Sequence, residues 1–426
     1  MDQRISGLID YLDGSHSVFH AVAGIRTALE EAGYTRLFEK DAWDLVPGGK
    51  YYLTRGGSAV MAFRIPQGDP QGFLMAASHA DRPTFKLKEN GELVSAYTRL
   101  AVERYGGMLI APWLDRPLSL AGRVAVETEN GVQTRLVDVD RDLLLIPNVA
   151  IHMNRQANEG YKWNPASDTL PLMGTKNAAG KLWPLLEELT GGKILGHDLT
   201  LYVRQKATVW GMDEEFISSA ALDDLECAWC TARGFLDAED GGSIPVLCVF
   251  DSEEVGSSSL QGAGSDLLES LLERICKALG KEFARMLAQS FMVSADNAHA
   301  LHPNHPELAD PANAPVMGKG VAIKYNANQR YTTDGVSAAL FRKVCAKAGT
   351  SVQTYCNRAD IAGGSTLGNI SLAHVSVPSV DIGLPQLAMH SCYETAAVAD
   401  AVGLMDAMTA YFGSTLTVDG ENWSIG

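Results

Sequence analysis

Pro245-Val246-Leu247-Cys248-Val249-Phe250 runs without a break into Asp251-Ser252-Glu253-Glu254-Val255-Gly256-Ser257. The apolar run has the length of a strand, and it carries no alternating polar face. That pattern predicts a strand covered on both sides, as in a parallel sheet between helices. Two adjacent glutamates and a Gly-Ser turn follow at its carboxyl end, where open α/β sheets build their sites. Leu267, Leu268, Leu271, Leu272, Ile275 and Leu279 then recur at helical spacing, so strand is followed by helix.

Further toward the carboxyl terminus the alternation continues, with a helix predicted near Ser337 to Ala348. Another is predicted to begin at Ser391, where Glu394 three positions on completes a capping-box pattern. Toward the amino terminus, Ile5, Leu8, Ile9 and Leu12 share one helical face. After Asp13-Gly14, Val18, Val22, Ile25 and Leu29 share another, ending at Gly33. Tyr51 to Thr54, Ala59 to Ile65 (after the Gly56-Gly57 turn) and Phe73 to Ser78 read as strands. From about Thr84 to Gly211, short apolar runs such as Leu143 to Ile151 and Leu199 to Val203 are broken by Gly, Pro and Asn. The expected architecture is therefore an α/β domain made of residues 1–83 and 212–426, split by a β-rich insertion over 84–211.

The chain has 426 residues, and 35 Lys+Arg against 51 Asp+Glu give a formal charge of −16. That balance offers no basic footprint for nucleic acid or an anionic membrane surface. At 46 % hydrophobic and 20 % charged residues, the composition is that of a globular chain rather than a disordered one. Seven dispersed cysteines form no disulfide framework and predict reduced thiols in a cytoplasmic compartment. Met1-Asp2-Gln3-Arg4-Ile5 lacks the basic and apolar regions of a secretory signal. Ile361 to Val380 is free of charge, yet Gly363, Gly364, Ser365, Asn369, His374 and Pro378 make it a poor membrane span.

Five short segments carry candidate chemistry. In Ser78-His79-Ala80-Asp81 a strand delivers His79, and Asp81 is placed to take the other imidazole N–H and fix the tautomer; an ordinary polar pair has the same spacing. Asp223-Asp224 puts two carboxylates side by side, which repel unless a cation sits beside them; a solvated turn reads the same. Glu253-Glu254 suits one metal ligand beside one free general base, or a charged helix start. Asp296 and His390 each follow an apolar stretch. Taken together, His, Asp, Glu-Glu, Asp and His supply the ligand set of a co-catalytic two-metal hydrolase, with one bridging carboxylate. Oxygen and nitrogen donors without thiolate suit zinc, with cobalt or manganese as substitutes. Two such ions about 3.5–4 Å apart can activate one water and polarise a scissile carbonyl.

Eight segments in order resemble the M18 family of metallo-aminopeptidases, of the aspartyl aminopeptidase type: SHADRP (78–83), IPNVAIHMNR (146–155), LDDL (222–225), DSEEVGS (251–257), SADNAHALHPN (294–304), NQRYTTD (328–334), GGSTLGNI (363–370) and MHSCYE (389–394). The resemblance spans essentially the whole chain. It implies a zinc-exopeptidase-like α/β/α catalytic domain with a β-rich dimerisation domain inserted. It also implies that Asp223 bridges two metals, with His79 and Asp296 completing one site and Glu254 and His390 the other. Glu253 would be the general base. His152 would reach from the insertion into a neighbouring subunit's site and stabilise the oxyanion. His299, Lys324 and Tyr331 match positions lining the substrate pocket. The implied substrates are peptides with a free N-terminus, preferably Asp or Glu, and the implied assembly is dimers forming a tetrahedral dodecamer.

The chain departs from the family pattern at Ala80 and Arg82, where the usual H-T-D-S-P reads His79-Ala80-Asp81-Arg82-Pro83, at Ala221 and Asp224, where R-L-D-N is usual, and at Ser252. Arg82 and Asp224 change charge near the site and bear on preference. The A-L-D-D step is also common in the M42 aminopeptidases, the rival reading; a catalytically silent scaffold is the rival of another class. Cys227-Ala228-Trp229-Cys230 has no second pair for a zinc ribbon and reads as helix-face thiols in the core. Gly363 to Gly368 lacks the Lys-Ser/Thr ending of a phosphate-binding loop.

Overall fold

A computed structural model describes residues 2–361, 363–364 and 366–426. Met1 of the amino-terminal reading and Ser365 of the Gly-rich segment lie outside the described residues. The continuous apolar runs form the middle of a nine-stranded sheet. Its order is Thr35–Arg36, Lys50–Arg55, Ala59–Arg64, Ile244–Phe250, Phe73–His79, Phe291–Ala295, Ser379–Gly383, Val321–Tyr325 and Val352–Cys356. Ile244–Phe250 and Phe291–Ala295 flank Phe73–His79 on either side, and both run parallel to it. All three strands are buried along their whole length, which is why their sequences show no alternation.

Helices cover both faces of this sheet. Gln3–Gly14, Val18–Glu31, Leu225–Asp237, Gly335–Ala348 and Val398–Phe412 close one core. Leu267–Leu279 and shorter helices close the other. The layers make an α/β/α sandwich. Two helices approach closely at Gly234, where a Cβ would stand 2.5 Å from Met408 Cβ and 2.8 Å from Thr409 N; only glycine fits there. Cys227 and Cys230 lie buried on the Leu225–Asp237 helix as free thiols, the core packing expected of them.

Thr84–Val94, Tyr97–Tyr105, Leu118–Thr128, Gly131–Asp138, Leu172–Thr175 and Ile194–Val203 form a separate six-stranded antiparallel sheet. It has its own core, sealed by Leu182 and Leu186 of the helix Leu182–Thr190. The chain leaves that sheet at Val203, and Thr208–Trp210 pairs instead with Phe216–Ser219. Of the run Leu143 to Ile151, only Leu144 to Ile146 make isolated bridges, while Val149 and Ile151 are exposed.

The helix expected to begin at Ser391 begins at Val398. Glu394 belongs to the strand Glu394–Ala397, paired with Phe216–Ser219. Its carboxylate is turned inward onto amides of other segments, so the Ser-x-x-Glu spacing does not cap a helix here. The true capping box is at Asp334 and Ser337, opening Gly335–Ala348. No helix among the described residues is long and apolar enough to cross a membrane.

Candidate metal centre

Three neighbouring parallel strands deliver the chemistry at their carboxyl ends. His79 is the last residue of its strand and stands in register with Phe250. From Phe250 the chain passes through Ser252, in the left-handed region at φ 65°, into the single turn Glu253–Val255. Asp296 follows directly on Phe291–Ala295. Asp223 arrives from the turn before Leu225–Asp237, and His390 from the loop before Glu394–Ala397.

These side chains converge on Asp223. Its Oδ1 lies 3.7 Å from His79 Nε2, and its Oδ2 lies 3.4 Å from His390 Nε2. His390 Nε2 is also 3.5 Å from Glu254 Oε2. Donor atoms of His79, Asp223 and Glu254 fall within 4.8 Å of one another, and so do those of Asp223, Asp224 and Asp296. Asp223 belongs to both groups, with one oxygen facing each imidazole.

Both histidines are oriented from behind. His79 Nδ1 donates to the Asp81 carbonyl at 3.1 Å and His390 Nδ1 to the Gly107 carbonyl at 2.6 Å. A proton fixed on Nδ1 leaves the Nε2 lone pair facing the carboxylates, the arrangement of metal-ligating histidines. Asp223 Oδ1, Asp224 Oδ1 and Glu254 Oε1 are buried without a hydrogen-bond partner. Buried carboxylate oxygens without donors are costly unless a cation compensates them. Burial lowers the His390 imidazole, but Asp223 and Glu254 outweigh it and push the pKa up to about 10. The cluster calls for positive charge, and its oxygen and nitrogen donors fit a zinc-like ion.

Asp81 does more than the single imidazole contact expected of it. Its Oδ1 lies 3.3 Å from His79 Nδ1 and accepts the Glu253 amide at 3.1 Å. Its Oδ2 accepts the Glu254 amide at 3.1 Å and the Tyr105 hydroxyl at 2.8 Å. One buried carboxylate thus ties the His79 loop to both glutamates. Glu253 is half-buried, and burial together with Asp296 and Asp223 pushes its carboxyl up to about 7.

A cavity of about 340 Å³ opens on this cluster. It is lined by His79, Asp223, Glu253, Asp296 and His390 of the cluster, and also by His299, Lys324, Tyr331, Tyr355 and Thr366. Lys324 is buried, with Nζ 3.7 Å from Asp296 Oδ2 and 5.5 Å from the Tyr331 ring centroid. His152 is exposed and does not line this cavity. Of the departures from the family pattern, Asp224 is buried and its Oδ2 accepts the His79 amide at 3.1 Å. Arg82 points away, donating to the Ser15 and His16 carbonyls at 2.8 and 2.9 Å.

Two functional residues escaped the sequence reading. Glu394 is buried; its Oε2 accepts the Leu222 amide at 2.6 Å and the Asp223 amide at 3.0 Å, and its Oε1 accepts the His390 amide at 2.7 Å. Asp381, also buried, accepts the Thr332 and Thr366 hydroxyls at 2.7 Å each and so braces the Tyr331 side of the cavity. Nothing local in the sequence marks either carboxylate as inward-facing.

The family described as aminopeptidase I zinc metalloprotease (M18) matches residues 11–412. A protein of Clostridium novyi named "Probable M18 family aminopeptidase 2" is 42 % identical over 409 residues, covering 92 % of this chain and 94 % of that protein. A Pseudomonas aeruginosa protein of the same name is 40 % identical over 421 residues, covering 96 % and 98 %. Among solved structures, a chain of a complex between Ape4 and Nbr1 superposes with a TM-score of 0.93 at 35 % identity, covering 96 % of this chain and 86 % of that one. The S. cerevisiae mApe1 dodecamer gives 0.85 at 26 % identity, covering 96 % of each chain. The chain belongs to the M18 family of zinc metallo-aminopeptidases.

Proposed function

We propose that the chain removes an N-terminal residue, preferably Asp or Glu, from peptides with a free N-terminus, using a two-metal centre. The observation that carries this reading is Asp223, whose two carboxylate oxygens face different imidazoles. In this reading Asp223 bridges, His79 and Asp296 complete one site, and Glu254 and His390 complete the other. When bound there, two divalent ions, zinc first and cobalt or manganese as substitutes, supply Lewis-acid polarisation of the scissile carbonyl and acidify the attacking water. Glu253 takes the proton from that water and returns it to the leaving amine. Asp81 holds the backbone of Glu253 and Glu254 while the proton moves.

Lys324, with His299 and Tyr331, meets the side chain of the residue being removed. The buried ammonium gives that wall a positive group that an acidic side chain can share with Asp296. His152 serves a neighbouring copy as oxyanion donor. It lies on a stretch whose Val149, Ile151 and Met153 are exposed, as suits a contact with another subunit. The six-stranded sheet is the dimerisation domain in this reading, and the dimers build a tetrahedral dodecamer in the cytoplasm. The test of the metal reading is stepwise loading of stripped protein with zinc, followed by hydrolysis of an aspartyl substrate. Full activity requires two equivalents per chain. Full activity at one equivalent contradicts the two-metal centre.

A further inference from the structure

Away from the metal centre, a cleft of about 450 Å³ lies between the helix Val18–Glu31, the end of the strand Lys50–Arg55 with its Gly56-Gly57 turn, and the six-stranded sheet. Four arginines line it, Arg26, Arg36, Arg123 and Arg135, and no Asp or Glu is among the described lining residues. For a chain of net charge −16 this is a local reversal of sign. Like charges gathered on one wall repel unless an anion lies between them.

The intramolecular partners leave that charge largely unmatched. Arg36 donates to Thr54 Oγ1 at 3.0 Å, and Arg135 to Gln133 Oε1 at 2.8 Å, to the Thr190 carbonyl and to the Gly191 carbonyl at 3.3 Å. Neither has a carboxylate within 4 Å among the described residues. Arg26 reaches Glu30 only at 3.7 Å, and its Nε is buried without a hydrogen-bond partner. Arg123 alone is firmly paired, with Asp198 at 2.7 Å. The wall therefore presents positive charge without a matching carboxylate from three elements, with free donors on Arg26 and Arg36.

We propose that this cleft binds a small anion carrying two or more negative charges on phosphate groups. A phosphate offers three oxygens in a tetrahedral spread and can accept from several planar forks at once, whereas one fork saturates a carboxylate. The cleft has the volume of a small-molecule site. Thr54 and Thr134 line it beside the arginines and add hydroxyl donors.

The test is calorimetric titration of the zinc-loaded, assembled enzyme with pyrophosphate at fixed ionic strength, compared with citrate. Saturable binding is expected, weakened about tenfold or more in Arg26→Gln/Arg36→Gln and less in Arg36→Lys, which keeps charge but loses the fork. Zinc-dependent hydrolysis by the same preparations certifies their fold, and Arg26→Lys/Arg36→Lys replaces the double variant if it does not fold. An unchanged isotherm in the variants would place pyrophosphate at the metals and overturn the proposal. So would citrate binding as tightly through the same arginines. Absence of saturable binding would also overturn it, and altered sedimentation of the double variant would then assign the arginines to a subunit contact.

Discussion

The carboxylate of Glu394 accepts the backbone amide of Asp223 at 3.0 Å. The same side chain accepts the His390 amide at 2.7 Å through its other oxygen. It thereby fixes the backbone under the shared carboxylate and under one of the two imidazoles that face it. Glu394→Gln keeps the shape but turns an NH2 group toward one of these amides, leaving a buried donor unpaired at about 1–3 kcal/mol. Zinc affinity, measured by competition with a chromogenic chelator, is expected to fall about 10–100-fold, with kcat falling alongside. Unchanged zinc affinity in a folded Glu394→Gln protein would reduce Glu394 to a strand residue.

Glu253→Gln removes the proposed base without removing a proposed ligand. Turnover is expected to drop by about 10²–10⁴-fold, while metal content by elemental analysis stays that of the wild type. Near-normal turnover with metals bound would show that another group takes the proton.

His152 lies outside the cavity of its own chain, so its effect is expected to appear between chains. His152→Ala is expected to lower kcat more than it raises KM, because an oxyanion contact exists only in the transition state. Mixed assemblies of His152→Ala and Glu253→Gln subunits are expected to recover part of the activity that each lacks alone. A His152→Ala enzyme with full activity contradicts the shared site.

Glu226, behind the cavity-lining Asn297, gives a pH signature of its own. It is fully buried, and burial pushes its carboxyl up to about 8 despite the hydrogen bond from Asn297 Nδ2 at 3.0 Å. Below the ordinary carboxylate range both folded and unfolded chains hold this proton. Between there and pH 8 only the folded chain does, so the unfolded state gains as pH rises, and above 8 the whole cost is felt. Glu226→Gln is expected to be more stable than the wild type at pH 9, by on the order of 5 kcal/mol, and so to unfold at a higher temperature. Near pH 4 the gap in melting temperature is expected to close. Parallel melting curves across pH would remove Glu226 from the account.

The sandwich was legible because its central strands are buried on both faces. Pro245 to Phe250 is read directly as an unbroken apolar run, Phe73 to Ser78 as a strand, and Leu267 to Leu279 as a recurrence at helical spacing. The residues at the ends of those runs could be named for the same reason, since strand order converts sequence position into proximity. Glu394 was not legible, because what determines its role is a set of amides as far as 172 residues away. Local spacing suggested a helix cap, and tertiary burial of the carboxylate overrode it. Asp81 shows the same limit: its neighbour His79 was in view, while the Glu253 and Glu254 amides it holds were not. The direction of Arg82 was equally hidden, since its carbonyl partners Ser15 and His16 lie in the link between the two amino-terminal helices.

If the buried Lys324 selects acidic side chains in a metal-dependent exopeptidase, substrate preference shows it. We expect kcat/KM on zinc- and cobalt-loaded protein to be higher for Asp and Glu than for Leu and Lys chromogenic substrates with either metal. A clear preference for Leu or Lys would contradict it.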